Sequence, residues 1–184
     1  MDMVLTSQRL TLVPFSESDV DIAIELFAYP TVRRFTGGAM QPEAIRAEMG
    51  HWVRRGGNGC IGVWCVTLTD SGEKLGSVAL LPMPIDDKIT DWSLLVPDRM
   101  PDADIEVGYF LKPAAWGKGI ATEACRRVVQ CAFEESSLDE VFATFDPGNT
   151  ASRKVLLKAG FTDRGTRRSY GEDGPDFRIT REEW

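Results

Sequence analysis

Apolar positions along the chain follow two spacings, and the changes between them mark the elements. Leu10 and Leu12 alternate with polar neighbours between Gln8 and Phe15, which predicts a first strand. Val20, Ala23, Ile24, Phe27 and Ala28 then fall on one face of a helix, with Ser16 or Ser18 to cap it and Pro30 to stop it. Pro42 suits the first turn of a second helix with the stripe Ile45, Met49, Trp52 and Val53, and Gly56-Gly57-Asn58-Gly59 breaks it. His51 falls off that stripe, which predicts a surface histidine. Cys60 to Leu68 is nearly continuous apolar residues, the pattern of a strand covered on both faces. Asp70-Ser71-Gly72 reads as a turn, and Lys74 to Leu81 returns as the second strand of a hairpin. Residues 82–104 hold Pro82, Pro84, Pro97 and Pro101 among several aspartates, which predicts an excursion from the sheet. Such a segment serves as a lid or binding loop, or as a packing flap or dimer contact, and its composition does not choose between them.

Alternation resumes at Ile105. Ile105, Val107, Tyr109 and Leu111 share one strand face, and Glu106, Gly108 and Phe110 share the other. A helix from about Ile120 to Glu134 carries the stripe Ile120, Ala124, Val128, Cys131 and Ala132, with Glu123 and Arg127 spaced as an i,i+4 ion pair. Val141 to Phe145 is a strand, Asp146-Pro147-Gly148-Asn149 a turn, and Ala151 to Ala159 a short helix closed by Gly160. A strand around Phe161, another at Thr166–Tyr170, a turn at Glu172-Asp173-Gly174-Pro175 and a strand at Phe177–Thr180 finish the chain. Strands run together early and late, and a β-α-β unit lies between. The order predicts an α/β protein of the α+β kind, a mixed β-sheet with helices packed on both faces. With neither a repeat nor a low-complexity linker, residues 1–184 read as a single domain.

Composition narrows the function classes. At 184 residues the chain buries roughly 70% of its unfolded surface, so the core needs no disulfide or structural metal. Cys60, Cys65, Cys125 and Cys131 sit inside apolar runs rather than at ligand spacing, as reduced core residues of a cytoplasmic protein would. A single histidine leaves no His-rich metal set, and no metal site is expected. The net charge of -7 disfavours nucleic acid. It favours cationic ligands or serves only solubility. No apolar run approaches the ~20 residues of a membrane span. Met1-Asp2-Met3-Val4 has no basic flank before an apolar stretch, so no secretory leader is expected.

Chemistry concentrates between Gly108 and Ala124. A strand runs into a loop holding Gly117 and Gly119, and the loop opens a helix. First-turn N–H groups have no helical partner and the dipole there is positive, which suits phosphate. Taken alone, the same residues also fit a plain glycine-rich turn. Lys118 is followed by Gly119 rather than a hydroxyl residue, so this is not a P-loop. Thr122 occupies the third glycine position of a dinucleotide fingerprint, and the chain does not open on alternating β-α-β units.

The stretch Ile105 to Ala124, with Asp146-Pro-Gly-Asn149-Thr-Ala-Ser152 and Leu157-Lys-Ala-Gly160-Phe161, resembles the GNAT superfamily of acetyl-CoA-dependent N-acetyltransferases. Gln8-Arg9-Leu10-Thr11-Leu12, with Asp19 further on, resembles the branch that holds the N-terminal acetyltransferases of ribosomal proteins. The resemblance spans nearly the whole chain. It implies a central twisted mixed sheet and transfer of an acetyl group from acetyl-CoA to a primary amine. The acceptor would be a protein or peptide α-amino group or a small amine, attacking directly in a ternary complex. It also implies a pyrophosphate loop at Trp116, Gly117, Lys118, Gly119, Ile120, Ala121 and Thr122. Trp116 departs from the polar residue usual at the first position. The pantetheine arm would lie along Phe110 and Leu111, with the N–H near Leu111 facing the thioester carbonyl, and Asn149 would contact that arm. Leu156 stands where many relatives carry an acid tyrosine, which leaves Ser152 or the CoA thiol's own acidity to serve departure. Glu106 would be the base, with Gly108 leaving space for substrate; an edge residue or an ion-pair partner is the alternative. A different class on the same fold is a non-catalytic CoA-binding sensor or interaction module. A second copy of the chain is a further expected partner, as a homodimer.

Overall fold

A computed structural model describes residues 3–184; Met1 and Asp2, on which the leader expectation partly rests, lie outside the described residues. The strands are β1 (Leu5–Thr6), β2 (Leu10–Pro14), β3 (Arg55–Gly56), β4 (Ile61–Leu68), β5 (Lys74–Pro82), β6 (Ile105–Leu111), β7 (Glu140–Ala143), β8 (Thr162–Ser169) and β9 (Glu172–Thr180). The helices are α1 (Val20–Phe27), α2 (Pro42–Trp52), α3 (Ile120–Glu135) and α4 (Thr150–Ala159). All strands join one sheet in the order β1-β2-β4-β5-β6-β7-β9-β8, with β3 beside β4. Every pairing is antiparallel except β6 with β7.

The two faces of the sheet carry separate cores. Ile105, Val107 and Leu111 of β6 pack with Ile120, Ala124, Val128 and Ala132 of α3 and with Leu156 and Ala159 of α4. On the other face, Ile22, Leu26 and Phe27 of α1 and Ile45 and Met49 of α2 pack on Val63 and Cys65, with Phe110 of β6 against them. The period-two alternation of β6 therefore divides the two cores. Each buried Leu, Ile or Val side chain contributes about 1.5–3 kcal/mol, so the α3 seam is a large part of what holds that helix down. All four cysteines are buried free thiols.

Several expectations change. The strands β1 and β3 have two residues each, too short to show a period. The last hairpin turns at Tyr170-Gly171, both with positive φ (54° and 75°), rather than at Glu172–Pro175. Pro175 pairs with Thr166 beyond the end of β7, where its missing N–H is not called for, so it stays within β9. The two strands expected around Phe161 and at Thr166–Tyr170 are one, β8 from Thr162 to Ser169, with an irregularity between Asp163 and Thr166. Glu123 does not pair with Arg127. It binds Arg9, and Arg127 Nε donates to Thr6 O at 2.9 Å, because the turn between β1 and β2 brings a second guanidinium to the first turn of α3.

Of the expected 82–104 excursion, Pro82 instead stays in the sheet as the last residue of β5, paired with Ile105 at the strand end, while residues 83–104 leave it and are tied at both ends. Gly57 N donates to Arg99 O at 2.9 Å and Asn58 N to Pro97 O at 2.7 Å. At the other end Tyr170 N and Gly171 N donate to Pro84 O and Ile85 O, at 3.0 and 2.8 Å. Among the described residues, no helix is long and apolar enough to cross a membrane.

Candidate active site

The sheet opens beside β6. The parallel pair β6–β7 is registered at Glu106 and Phe142. β7 then ends at Ala143, and Phe145 turns its ring onto Phe177 of β9, at 5.1 Å. On its other side β6 pairs with β5 from Ile105 to Leu111. Lys112 N donates to Leu75 O at 2.9 Å and Met83 N to Asp104 O at 2.8 Å, which sets the phase of that ladder. Even-numbered residues of β6 bond to β5, so Tyr109 and Leu111 turn their N–H and C=O toward the gap. Of the two residues expected along the pantetheine arm, Leu111 presents backbone there. Phe110 spends its backbone on β5 and sends its ring to the α1–α2 face.

The glycine loop closes one end of the gap. Trp116 Nε1 donates to Leu111 O at 2.8 Å, tying the loop to the strand. Gly117 and Gly119 take φ of 71° and 77°, which favours glycine, and a Cβ on Gly117 would meet nothing within 4 Å. The first backbone bond of α3 runs from Glu123 N to Gly119 O at 3.0 Å. The N–H groups of Ile120, Ala121 and Thr122 precede it and remain free for an anion. Ile120 is buried in the core, so its side chain anchors the turn; Lys118 is exposed. Arg9, which sequence reasoning did not place here, braces the loop: its Nη1 donates to Lys118 O at 2.9 Å and its Nε to Glu123 at 2.7 Å. Ser7 Oγ and Arg9 N also donate to Glu123, each at 2.8 Å. A carboxylate one turn into α3 would repel phosphate, and Arg9 neutralises it.

Glu106 lies toward the other end, on the α1–α2 face, buried in a central strand rather than at an edge. Burial pushes its carboxyl up to about 7, against a hydrogen bond from Tyr170 OH and the Arg167 guanidinium, which both pull it down. Arg167 stacks 4.4 Å from the Phe142 ring centre and binds Asp104 at 2.5 Å. Tyr170 is the second residue that sequence reasoning missed. Its left-handed backbone is rare for a bulky side chain. The turn is held by the carbonyls of Pro84 and Ile85, so the 82–104 excursion positions the phenol over Glu106. A Cβ on Gly108 would meet nothing within 4 Å, so space remains beside Glu106 on this face.

Ser152 and Asn149 sit across the gap at the start of α4. Asn149 Oδ1 accepts from Ser152 N at 3.1 Å and so caps the helix. Ser152 Oγ lies 2.8 Å from Tyr109 OH, with Tyr109 reaching over from β6. Burial drives the Tyr109 phenol well above its usual range, so it stays protonated. Tyr109 is the third missed residue; the alternation placed it only on the strand face of Ile105, Val107 and Leu111. Among the described residues, no group of three His, Cys, Asp or Glu side chains could hold a metal ion.

A buried carboxyl poised near neutrality carries a stability cost that grows as pH rises and is absent in acid. The folded value of about 7 exceeds the ordinary 4.5, so between them the folded state binds the extra proton and stability falls as pH rises. Glu106→Gln is therefore expected to be more stable than the parent at pH 8, by at most on the order of 3 kcal/mol, and to gain nothing at pH 4. Urea midpoints of both proteins at the two pH values test this; equal midpoints at pH 8 contradict it.

Residues 9–162 match the acetyltransferase (GNAT) domain. The FsC-acetyl coenzyme A-N(2)-transacetylase of Aspergillus fumigatus is 28% identical over 191 residues, covering 98% of this chain and 77% of the relative. YdaF of Bacillus subtilis, whose name suggests a ribosomal N-acetyltransferase, is 41% identical over 63 residues, 34% of each chain. The crystal structure of an acetyltransferase from Agrobacterium tumefaciens shares the fold, with a TM-score of 0.76 at 23% identity over 97% of this chain and 95% of that one. With the domain match spanning most of its length and the fold in agreement, the chain belongs to the GNAT family of acetyltransferases.

Proposed function

We propose that this protein transfers the acetyl group of acetyl-CoA to a primary amine, a protein or peptide α-amino group or a small amine, by direct attack in a ternary complex. The observation that carries the reading is the gap between β6 and β7. It presents the backbone of Tyr109 and the N–H of Leu111, whose carbonyl accepts from Trp116, between an anion-ready helix start and a buried carboxyl near neutrality. The residues fit acetyl-CoA. Free N–H groups of Ile120, Ala121 and Thr122 meet the pyrophosphate, and the open face of Gly117 admits it. Leu111, next to the loop, takes the pantetheine arm. Tyr109 N–H lies about 10 Å along the strand from Glu106 and Leu111 N–H about 17 Å, so Tyr109 is the nearer donor to a thioester carbonyl served by that base.

Glu106 takes the ammonium proton, directly or through one water above Gly108. Tyr170 holds one carboxylate oxygen and leaves the other for the proton. Ser152, backed by the protonated Tyr109 phenol, donates toward the departing sulfur, and Asn149, whose Oδ1 caps α4, offers its amide N–H groups to the arm. The test is a thiol-release assay with acetyl-CoA and a panel of primary amines. Amine-dependent release with acetylated product supports the reading, and tight CoA binding with no release on any amine overturns it.

Tyr170→Phe tests the pairing of phenol and base. Losing a hydrogen bond that favours ionised Glu106 raises the carboxyl further, so the acid limb of the pH–rate profile moves to higher pH. Activity at pH 6.5 is expected to fall several-fold and to recover above about pH 8.5. An unmoved limb detaches Tyr170 from Glu106.

A further inference from the structure

The connection between α1 and α2, residues 28–41, lies on the same face of the sheet as Glu106, with Val32 and Met40 packed on the α1–α2 core. Phe35 lies against the turn that follows β7, where a Cβ on Gly148 would stand 3.5 Å from its ring. Two residues earlier, the Arg33 guanidinium lies over two rings, 5.7 Å from the centre of Phe27 and 5.9 Å from that of Phe110. Phe110 and Phe27 themselves meet edge to face at 5.0 Å. Phe110 shares its strand face with Gly108 and Glu106, so this cation stands beside the space left for the acceptor.

The state of the charge is the informative part. Arg33 Nε donates to Gly38 O at 3.0 Å, which fixes the head of the side chain. Among the described residues it makes no ion pair, although the chain has 28 acidic and 21 basic residues. Arginine stays ionised under such desolvation, and an aromatic platform holds its planar fork in one orientation. A half-buried, oriented fork that the protein leaves without a carboxylate is suited to one arriving with the substrate.

We infer that Arg33 reads an anionic group on the acceptor, so that the preferred amine carries a carboxylate or a phosphate. The proposal rests on the acetyltransferase reading and names the substrate class of that site. Phe110 stands two strand residues, about 7 Å, from Gly108, and the guanidinium stands a further 5.9 Å from the centre of that ring, so the anion it meets lies several bonds from the amine, as in a dipeptide, rather than on the carbon that bears it. The surrounding acidity attracts cationic amines from solution, and Arg33 acts against that bias inside the site.

The experiment measures kcat and KM in matched pairs, glycylglycine with glycylglycinamide and O-phosphoethanolamine with ethanolamine, with spermidine as the polycation. The first pair reports on a carboxylate and the second on a phosphate. In at least one pair the anionic member is expected to have a kcat/KM about tenfold or more above its partner, mainly through KM. Arg33→Met keeps apolar contact with both rings and is expected to erase that preference through a higher KM for the anionic member, and Arg33→Lys to restore part of it. Equal handling within both pairs, best turnover of spermidine, or a preference that survives Arg33→Met each overturns the proposal. Acetyl-CoA binding without acetylation of any of the five amines or of a peptide panel overturns the acetyltransferase reading, and this proposal with it.

Discussion

Replacing Glu106 by glutamine is expected to lower turnover at pH 7 by roughly 10²-fold or more, the usual consequence of losing a general base. Glutamine keeps the shape and a hydrogen-bonding oxygen for Tyr170 but accepts no proton from the ammonium. The carboxyl sits at about 7 because burial penalises its charge, so in the parent the base is about half ionised at neutral pH. The rate of the parent should therefore climb through an acid limb near that value, and the variant should lack the limb. The defect should narrow toward pH 9, where solution supplies more neutral amine. Affinity for acetyl-CoA is expected to stay within about twofold, because Glu106 faces the α1–α2 side while the glycine loop lies at the far end of β6. The measurement is a pair of pH–rate profiles on one confirmed amine, with CoA titrations alongside. A variant that follows the parent across the profile makes Glu106 a structural residue of the network with Tyr170 and Arg167.

The second large effect concerns the loop. Gly119→Val is expected to weaken CoA binding at least tenfold, about 1.4 kcal/mol. Two physical causes act together. Gly119 holds φ at 77°, where a β-branched residue is strained, so the loop shifts. A side chain there also enters the space beside Arg9, whose Nη2 stands 3.4 Å from the position of such a Cβ. Arg9→Ala separates loop order from local strain. It leaves Gly119 intact and removes the bonds to Lys118 O and Glu123, freeing a carboxylate near the phosphates. It is expected to raise the CoA dissociation constant several-fold while leaving S-acetylpantetheine, which has no pyrophosphate, unaffected. Calorimetry on folded protein reads both, and unchanged CoA affinity in the two variants removes the loop from the site.

Much of the architecture is legible in the residue pattern. The helices α1 to α4 and the strands β4 to β6 lie where the spacing of apolar residues puts them, because these elements bury one face or both along several turns or pairs. The order of strands and helices implied a mixed sheet covered on both faces, and so it is. The glycine loop was legible for a local reason: Gly117 and Gly119 need a left-handed backbone, and a helix must begin where free N–H groups cluster. Turn chemistry misled at Glu172–Pro175, where four turn-forming residues continue a strand because Tyr170-Gly171 had already reversed the chain.

What local pattern determined is which residues share a face, where helices start and where the chain turns, since each depends on neighbours within a few positions. The tertiary structure alone decided which residues meet across the sheet. Arg9 reaches Lys118 and Glu123 over more than a hundred residues, Tyr170 reaches Glu106 from a hairpin tip docked on the 82–104 excursion, and Tyr109 pairs with Ser152 across the gap. No spacing in a sequence encodes such contacts. They follow from strand order and from the parting of β6 and β7, and these are set by the packing of two cores formed from distant segments. The state of Glu106 belongs to the same level. As a carboxylate on an alternating strand it could be solvated or buried, and only its central place in the sheet, covered from the α1–α2 side, removes the water that would keep it at its ordinary acidity.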